Sequence, residues 1–493
     1  MKKVVLLPTV LLLFNTFNLP AQNLFSQLKT SNKNLYSPSG KASRDGCYSL
    51  AFYHNDSRNF YTFDPDGNII TSLTQTFPGK EYHQKPVGVK EIPDAFIYYF
   101  HNAVDNNRLE AYRLGKKEHE SSFGYFELAE SRKEKLLHTI EDREELYFLL
   151  MNKQEQKLIL VRVLDEKNVE RKEFPLSEDV FDLMRKSDFV QVYSGRENNF
   201  LELELEKAYL TNKQTLVLTR EMEESAHGVP AGFTAILTLD FERGHSSFQA
   251  LPPAFAETNF KTNTFILKDR LYKISGNKNF IDLSIYHFPS LNKLESFNYN
   301  SNQEIGLMGR GLSFRKSDDL PILIEKEKTR KILRKLQKGT LAVYAKPLKQ
   351  NAVALRLGSF RELSGGGYGG GMMMPMGGGS ISTPMGSVSA PFSFSPVYFG
   401  TGKSSTAEYY FDVLLNEQLE VKGHTAPRAL QEKEEEAIEH LDSRRNNYLL
   451  SLPVSYTRGL MVFHDKKEEQ LNIYQLGYHS SAMPATEQPA AGF

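Results

Sequence analysis

Leu146–Leu176, LYFLLMNKQEQKLILVRVLDEKNVERKEFPL, is the stretch whose reading decides the fold of this 493-residue chain. Leu146–Met151 and Lys157–Leu164 are apolar runs of strand length, and the polar bridge Asn152–Gln156 between them is too short for a crossover. A third extended piece, Val169–Leu176, follows a second polar break. Runs of that length, rich in β-branched and aromatic residues and joined by short polar linkers, read as a meander of antiparallel strands.

Relatives of the second strand recur along the chain. The frame apolar-x-x-apolar-x-apolar fits Leu158/Val161/Val163, Leu109/Tyr112/Leu114, Leu283/Tyr286/Phe288 and Leu471/Tyr474/Leu476. Looser fits are Phe60/Phe63, Ile236/Leu239/Phe241, Ala352/Leu355/Leu357 and Tyr410/Val413/Leu415. The last two apolar positions share one face of a strand, and Arg113, Arg162 or Asp240 between them points the other way. The first three copies begin at residues 60, 109 and 158, and later gaps widen, which implies insertions. A period of about 40–50 residues with several strands per unit is the mark of a β-propeller with four-stranded blades. Expected blade-like units are 47–74, 95–128, 146–176, 189–252, 264–299, 307–360, 397–422 and 448–478, giving seven or eight blades. Two β-sandwich domains are the alternative. Tryptophan is absent, so the tryptophan-bearing signatures of WD and kelch repeats are missing.

The N-terminus reads as a cleaved secretory signal over residues 1–22, with a basic start at Lys2-Lys3, an apolar core Val4–Phe14 and a small-residue site near Ala21. That core is too short to span a bilayer. Residues 23–45 read as a polar leader with one strand at most, 46–478 as the propeller and 479–493 as a disordered tail. Export to the periplasm or beyond is the expectation, with no transmembrane segment after cleavage. The lone Cys47 lies in a strand-like run and reads as a buried apolar residue. Lys plus Arg and Asp plus Glu both number 60, and that balance argues against a nucleic-acid partner. Two short connecting helices are expected at Ser177–Lys186 and Pro427–Arg445. A charged hairpin or short helix is expected at Glu325–Lys338, EKEKTRKILRKLQK.

Motifs of chemistry are few. Ser364–Pro396 is rich in glycine and holds Met372, Met373, Met374, Met376 and Met385. Their thioethers are the soft donors that select Cu(I). No His or Cys lies in the stretch, however, so it reads first as a flexible, partner-binding insertion. Gly365, Gly367 and Gly370 match a dinucleotide fingerprint without the helix that must follow it, and Gly400–Ser404 lacks the first glycine of a P-loop. Asp64–Asn68 resembles a Ca2+ loop but lacks the distal carboxylate, and reads as a hairpin turn. His227 and His245 stand beside glycines in loops, and neither has metal-ligand spacing. No cofactor is expected. The function that follows is an exported, non-enzymatic binding or scaffolding module for a protein or glycan partner. The alternative is a glycan hydrolase with a carboxylate pair at the propeller channel.

Overall fold

The computed structural model describes residues 22–477, apart from 30–35, 44, 54–56, 77–85, 103–107, 143–144, 193–203, 213, 224–225, 228, 254–259, 310, 317–321, 326, 349–350, 364–404, 425–445, 456–457 and 466–467. The chain opens with β1 (Gln22–Lys29). The first sheet follows as β2 (Tyr36–Ala42), β3 (Tyr48–Tyr53), β4 (Ser57–Phe63) and β5 (Ile69–Thr76). The second is β6 (Gly88–Ile92), β7 (Ala95–His101), β8 (Arg108–Gly115) and β9 (Ser121–Glu127), and the third β10 (Glu134–Asp142), β11 (Glu145–Asn152), β12 (Lys157–Val163) and β13 (Val169–Pro175). After helix α1 (Glu178–Met184), the fourth sheet holds β14 (Val190–Val192), β15 (Glu206–Asn212), β16 (Thr215–Glu221), β17 (Thr234–Asp240) and β18 (His245–Leu251).

The fifth sheet is β19 (Lys261–Leu267), β20 (Arg270–Gly276), β21 (Phe280–His287) and β22 (Asn292–Asn300). The sixth contains β23 (Leu312–Lys316), β24 (Ile322–Ile324), β25 (Thr340–Pro347), β26 (Val353–Leu363), β27 (Ser405–Leu415) and β28 (Val421–Gly423), with helix α2 (Thr329–Leu336) between β24 and β25. The last three strands are β29 (Asn446–Ser455), β30 (Arg458–Asp465) and β31 (Gln470–Gly477). They form the seventh sheet with β1, in the order β1-β31-β30-β29.

Each sheet is one blade of a seven-bladed β-propeller. In the first, second, third and fifth blades the strands pair antiparallel in chain order, the first innermost, as the register Phe148↔Val161 and Val161↔Arg171 illustrates in the third. In the fourth β14 adds a parallel strand beside β15, in the sixth β23 and β24 take the outer positions beside β27, and in the seventh β1 is outermost. Innermost strands of successive blades lie together: β2 with β6, β6 with β10, β10 with β15, β19 with β25, and β2 with β29. The N-terminal strand closes the ring, pairing Leu28 with Leu471. Two sandwiches would not join the two ends of the chain in one sheet.

Packing between blades explains the apolar runs. Leu146, Phe148 and Leu150 face the second blade, where they meet Ile97, Tyr99 and Phe126. Tyr147 and Leu149 face the fourth, where they meet Leu216, Leu218 and Leu237. A strand buried on both faces loses the polar alternation of a half-exposed one. Each such side chain contributes about 1.5–3 kcal/mol by burial. The apolar frame falls on the third strand of all seven blades: β4, β8, β12, β17, β21, β27 and β31. The remaining match, Ala352/Leu355/Leu357, falls on β26.

Several expectations need correction. Residues 23–45 are not a leader: they supply most of β1 and all of β2, the outermost strand of one blade and the innermost of another. Such strands pair through backbone, so a polar composition conceals them. The units at 307–360 and 397–422 are one blade, because β26 and β27 pair from Val353↔Leu415 to Leu363↔Ser405. The residues between them spread one blade's period over two. Helix α1 lies within Ser177–Lys186 as expected, and Glu325–Lys338 contains α2. The helix expected at Pro427–Arg445, the signal segment and the tail lie outside the described residues.

Candidate functional site

Antiparallel alternation sorts the connections onto two ends of the ring. Turns from the first strand to the second and from the third to the fourth fall at one end. Turns from the second to the third, and all blade-to-blade links, fall at the other. At the first end the turns span two to five residues. They are closed by their own side chains: Asp64 accepts from Asp66 N at 2.9 Å and Asn68 N at 2.8 Å, with Gly67 at φ 89°. Asp165 accepts from Lys167 N at 2.8 Å and Asn168 N at 2.9 Å at the same place in the third blade. Asp64 and Asp165 thus serve to close their own turns.

The other end carries the long connections: residues 176–189 with α1, 222–233, the segment 325–339 with α2, and the strand ends Leu363 and Ser405. The pairing of Leu363 with Ser405 brings the two ends of 364–404 together at this rim. Long links on a rigid frame are where binding residues concentrate.

The two helices on this rim differ in the charge of their first turns. In α1, Glu178 and Asp179 occupy the first turn, the sign a helix N-terminus favours, while Phe181, Leu183 and Met184 are buried. In α2 the first turn has no acidic residue and carries Arg330 and Lys331 instead. Its buried face is Ile332, Leu333 and Leu336. Its exposed face is Arg330, Lys331 and Arg334, continued by Lys338. Lys335, half-buried, pairs with Glu327 at 2.7 Å. Lys261 caps the C-terminus, donating to the carbonyls of Gln337 at 3.1 Å and Gly339 at 2.8 Å.

Acidic side chains on the innermost strands are committed to partners. Glu91 accepts from Lys116 at 2.9 Å and from the Ser43 hydroxyl. Glu134 pairs with Arg171 at 2.7 Å. Glu141 binds Lys41 and accepts from Val89 N at 3.1 Å. Glu206 pairs with Arg220 at 3.0 Å. Between the fourth and fifth blades, buried Glu221 accepts from Thr234 and Thr264, each at 2.6 Å, and lies 3.9 Å from the Lys207 ammonium. Lys273 donates to the carbonyls of Leu251 at 3.2 Å and Pro252 at 2.9 Å. Burial lowers both lysines to a pKa of about 8, with Glu221 opposing the shift. At the tight-turn end, burial alone raises the Asp45 carboxyl, but hydrogen bonds from Ser43, Lys116 and Cys47 N hold it at about 2. Glu91, Glu141, Glu221 and Lys273 reach across to other blades, while Glu134 and Glu206 pair within their own. A glycosidase pair needs two carboxyls left open to substrate.

The expected site residues are not brought together. Met372, Met373, Met374, Met376, Met385, Gly365, Gly367, Gly370 and Gly400–Ser404 lie outside the described residues. His227 sits in the 222–233 link at φ 48°, its Nε2 3.4 Å from the Lys186 ammonium. His245 begins β18 at the opposite end. Among the described residues no three His, Cys, Asp or Glu side chains converge as a metal site, and no helix is long and apolar enough to cross a membrane. A void of about 10 Å³ lined by Ile274, Leu283, Phe297 and Phe411 is apolar; a single water needs roughly that space and polar partners as well. Sequence reasoning passed over the basic face of α2, although the sign of its first turn was there to read.

No protein-family model matches the sequence, and no curated protein does. Among solved structures, the Dos1 propeller overlaps with a TM-score of 0.35 at 9% identity, over 92% of this chain and 96% of that one. The WD40 domain of SCAP from fission yeast overlaps at 0.33 and 8% identity, over 93% of each chain. Prolyl oligopeptidase B from Galerina marginata overlaps at 0.32 and 8% identity, over 66% of this chain and 47% of that one. Overlaps this loose have no bearing on activity. The closed ring of seven sheets defines the class, a seven-bladed β-propeller.

Proposed function

We propose that this chain is an exported binding or scaffolding module that meets its partner at the rim carrying the long connections. The observation behind this reading is the asymmetry of the two ends: tight self-satisfied turns at one, and at the other α1, α2 and the paired strand ends Leu363 and Ser405 that bound residues 364–404. The carboxylates of the innermost strands, tied to Lys41, Lys116, Arg171 and Arg220, favour binding over hydrolysis of a glycan. Export rests on the basic, apolar and small-residue order of residues 1–22.

The test compares partners captured from the native host by three forms of the full chain. One is unaltered, one has Gly365–Gly379 replaced by a short Gly-Ser linker, and one carries Asp66→Lys with Lys117→Glu on the tight-turn end. Loss of a partner only in the second form is the expected result. Loss only in the third, or hydrolysis of a glycan by the unaltered chain, would overturn the reading.

A further inference from the structure

The first turn of helix α2 runs against the helix dipole, while Arg334 and Lys335 in its last turn agree with it. Arg330 and Lys331 occupy the first turn, where the peptide dipoles repel cations. Arg330 with Arg334, Lys331 with Lys335, and Arg334 with Lys338 are like-charge neighbours one turn apart. Among the described residues, Lys335 pairs with the carboxylate of Glu327. The helix persists because Ile332, Leu333 and Leu336 are buried and Lys261 caps its end. Helix α1, on the same rim, follows the usual rule. A local rule broken with no gain in stability marks a surface kept for something else.

Resting on the reading of this rim as a binding face, we propose that the exposed stripe of Arg330, Lys331, Arg334 and Lys338 docks an acidic polypeptide segment in extended conformation. Arg330 and Arg334 are separated by one helical turn, about 6 Å. Carboxylates on alternate residues of a strand recur at nearly that spacing, about 6.6 Å. A membrane surface fits poorly, because the apolar side of α2 is buried and leaves nothing to insert between lipids. Single-stranded nucleic acid fits poorly too, because the stripe offers no aromatic side chain on which a base could stack.

The probe is a fluorescein-labelled ten-residue peptide of alternating Glu and Thr, titrated with the full chain at low and high salt and followed by anisotropy. Saturable binding that weakens with salt is expected. It should fall at least tenfold in the Arg330→Glu/Arg334→Glu variant and stay within twofold in Lys117→Glu/Lys268→Glu, an equal charge change at the opposite end. The single variant Arg330→Glu should also unfold at a higher urea concentration than the unaltered chain, since it corrects the charge of the first turn. Equal loss in both double variants, no binding by the unaltered chain, or a lower urea midpoint for Arg330→Glu would overturn the proposal. So would tighter binding to phosphatidylglycerol vesicles or to a single-stranded oligonucleotide than to the peptide. Failure here, with partner capture still dependent on Gly365–Gly379, would remove the acidic ligand and leave the binding rim standing.

Discussion

Leu28 and Leu471 stand opposite each other in the ladder of the seventh blade, both buried, one near the start of the described chain and the other near its end. They pack with Tyr48, Leu50 and Phe63 of the first blade, so one contact region joins both termini to the ring. Leu28→Ala should therefore lower stability by about 2–4 kcal/mol, the cost of a cavity in a core. Urea unfolding measures it. A change below about 0.5 kcal/mol, the size of an ordinary surface effect, would show that the closing strand is dispensable.

The buried lysines predict an unusual pH dependence. Lys207 and Lys273 are held at about 8, while an unfolded lysine titrates at 10.5. Between those values the unfolded chain binds more protons at both positions, so stability rises with pH. From pH 7.5 to 9.5 the gain is about 2 kcal/mol per lysine. Tyr209, raised by burial, opposes the trend near pH 10, and Cys47, raised by burial to about 11, opposes it from about pH 9, by less than the two lysines add. Urea midpoints at the two pH values should increase in that order, and less so in Lys273→Met. A decrease over this window would contradict the placement of these charges.

Gly365–Gly379 can be shortened at little cost to the fold. Its strands are already in register from Val353↔Leu415 to Leu363↔Ser405. Loop closure changes by only about 0.6 kcal/mol per doubling of length. An unchanged urea midpoint is expected for the Gly-Ser replacement; a large fall would mean that the segment contributes core contacts.

Processing of the N-terminus is checked by sequencing the protein recovered from its native host. The expected first residue lies close to Gln22, where β1 begins. An intact Met1 on a membrane-bound form would refute cleavage.

Much of the architecture was legible because Leu158/Val161/Val163 and its counterparts mark the third strand of each blade, beside a second strand such as β11 that neighbours cover on both faces. What escaped were edges and ends. β1 and β2 pair by backbone hydrogen bonds that composition does not reveal, and the residues between β26 and β27 stretch one blade across two periods. The binding rim was illegible for a different reason. Which links share an end depends on strand direction, known only once the pairing is known. The basic first turn of α2 was readable in TRKILRKL, but its meaning needs the contrast with α1 and the burial of Ile332 and Leu333.

The central claim, that partners are met at the rim of long links, is tested most directly by site-specific photo-crosslinking in the native host. A photoreactive residue is placed singly at Gln154, Lys278 or Asn302 on that rim, and at Asp66, Lys117 or Glu417 on the tight-turn end, all exposed positions. The account predicts a discrete crosslinked partner from the first three positions and none from the last three. Adducts confined to Asp66, Lys117 and Glu417 would contradict it.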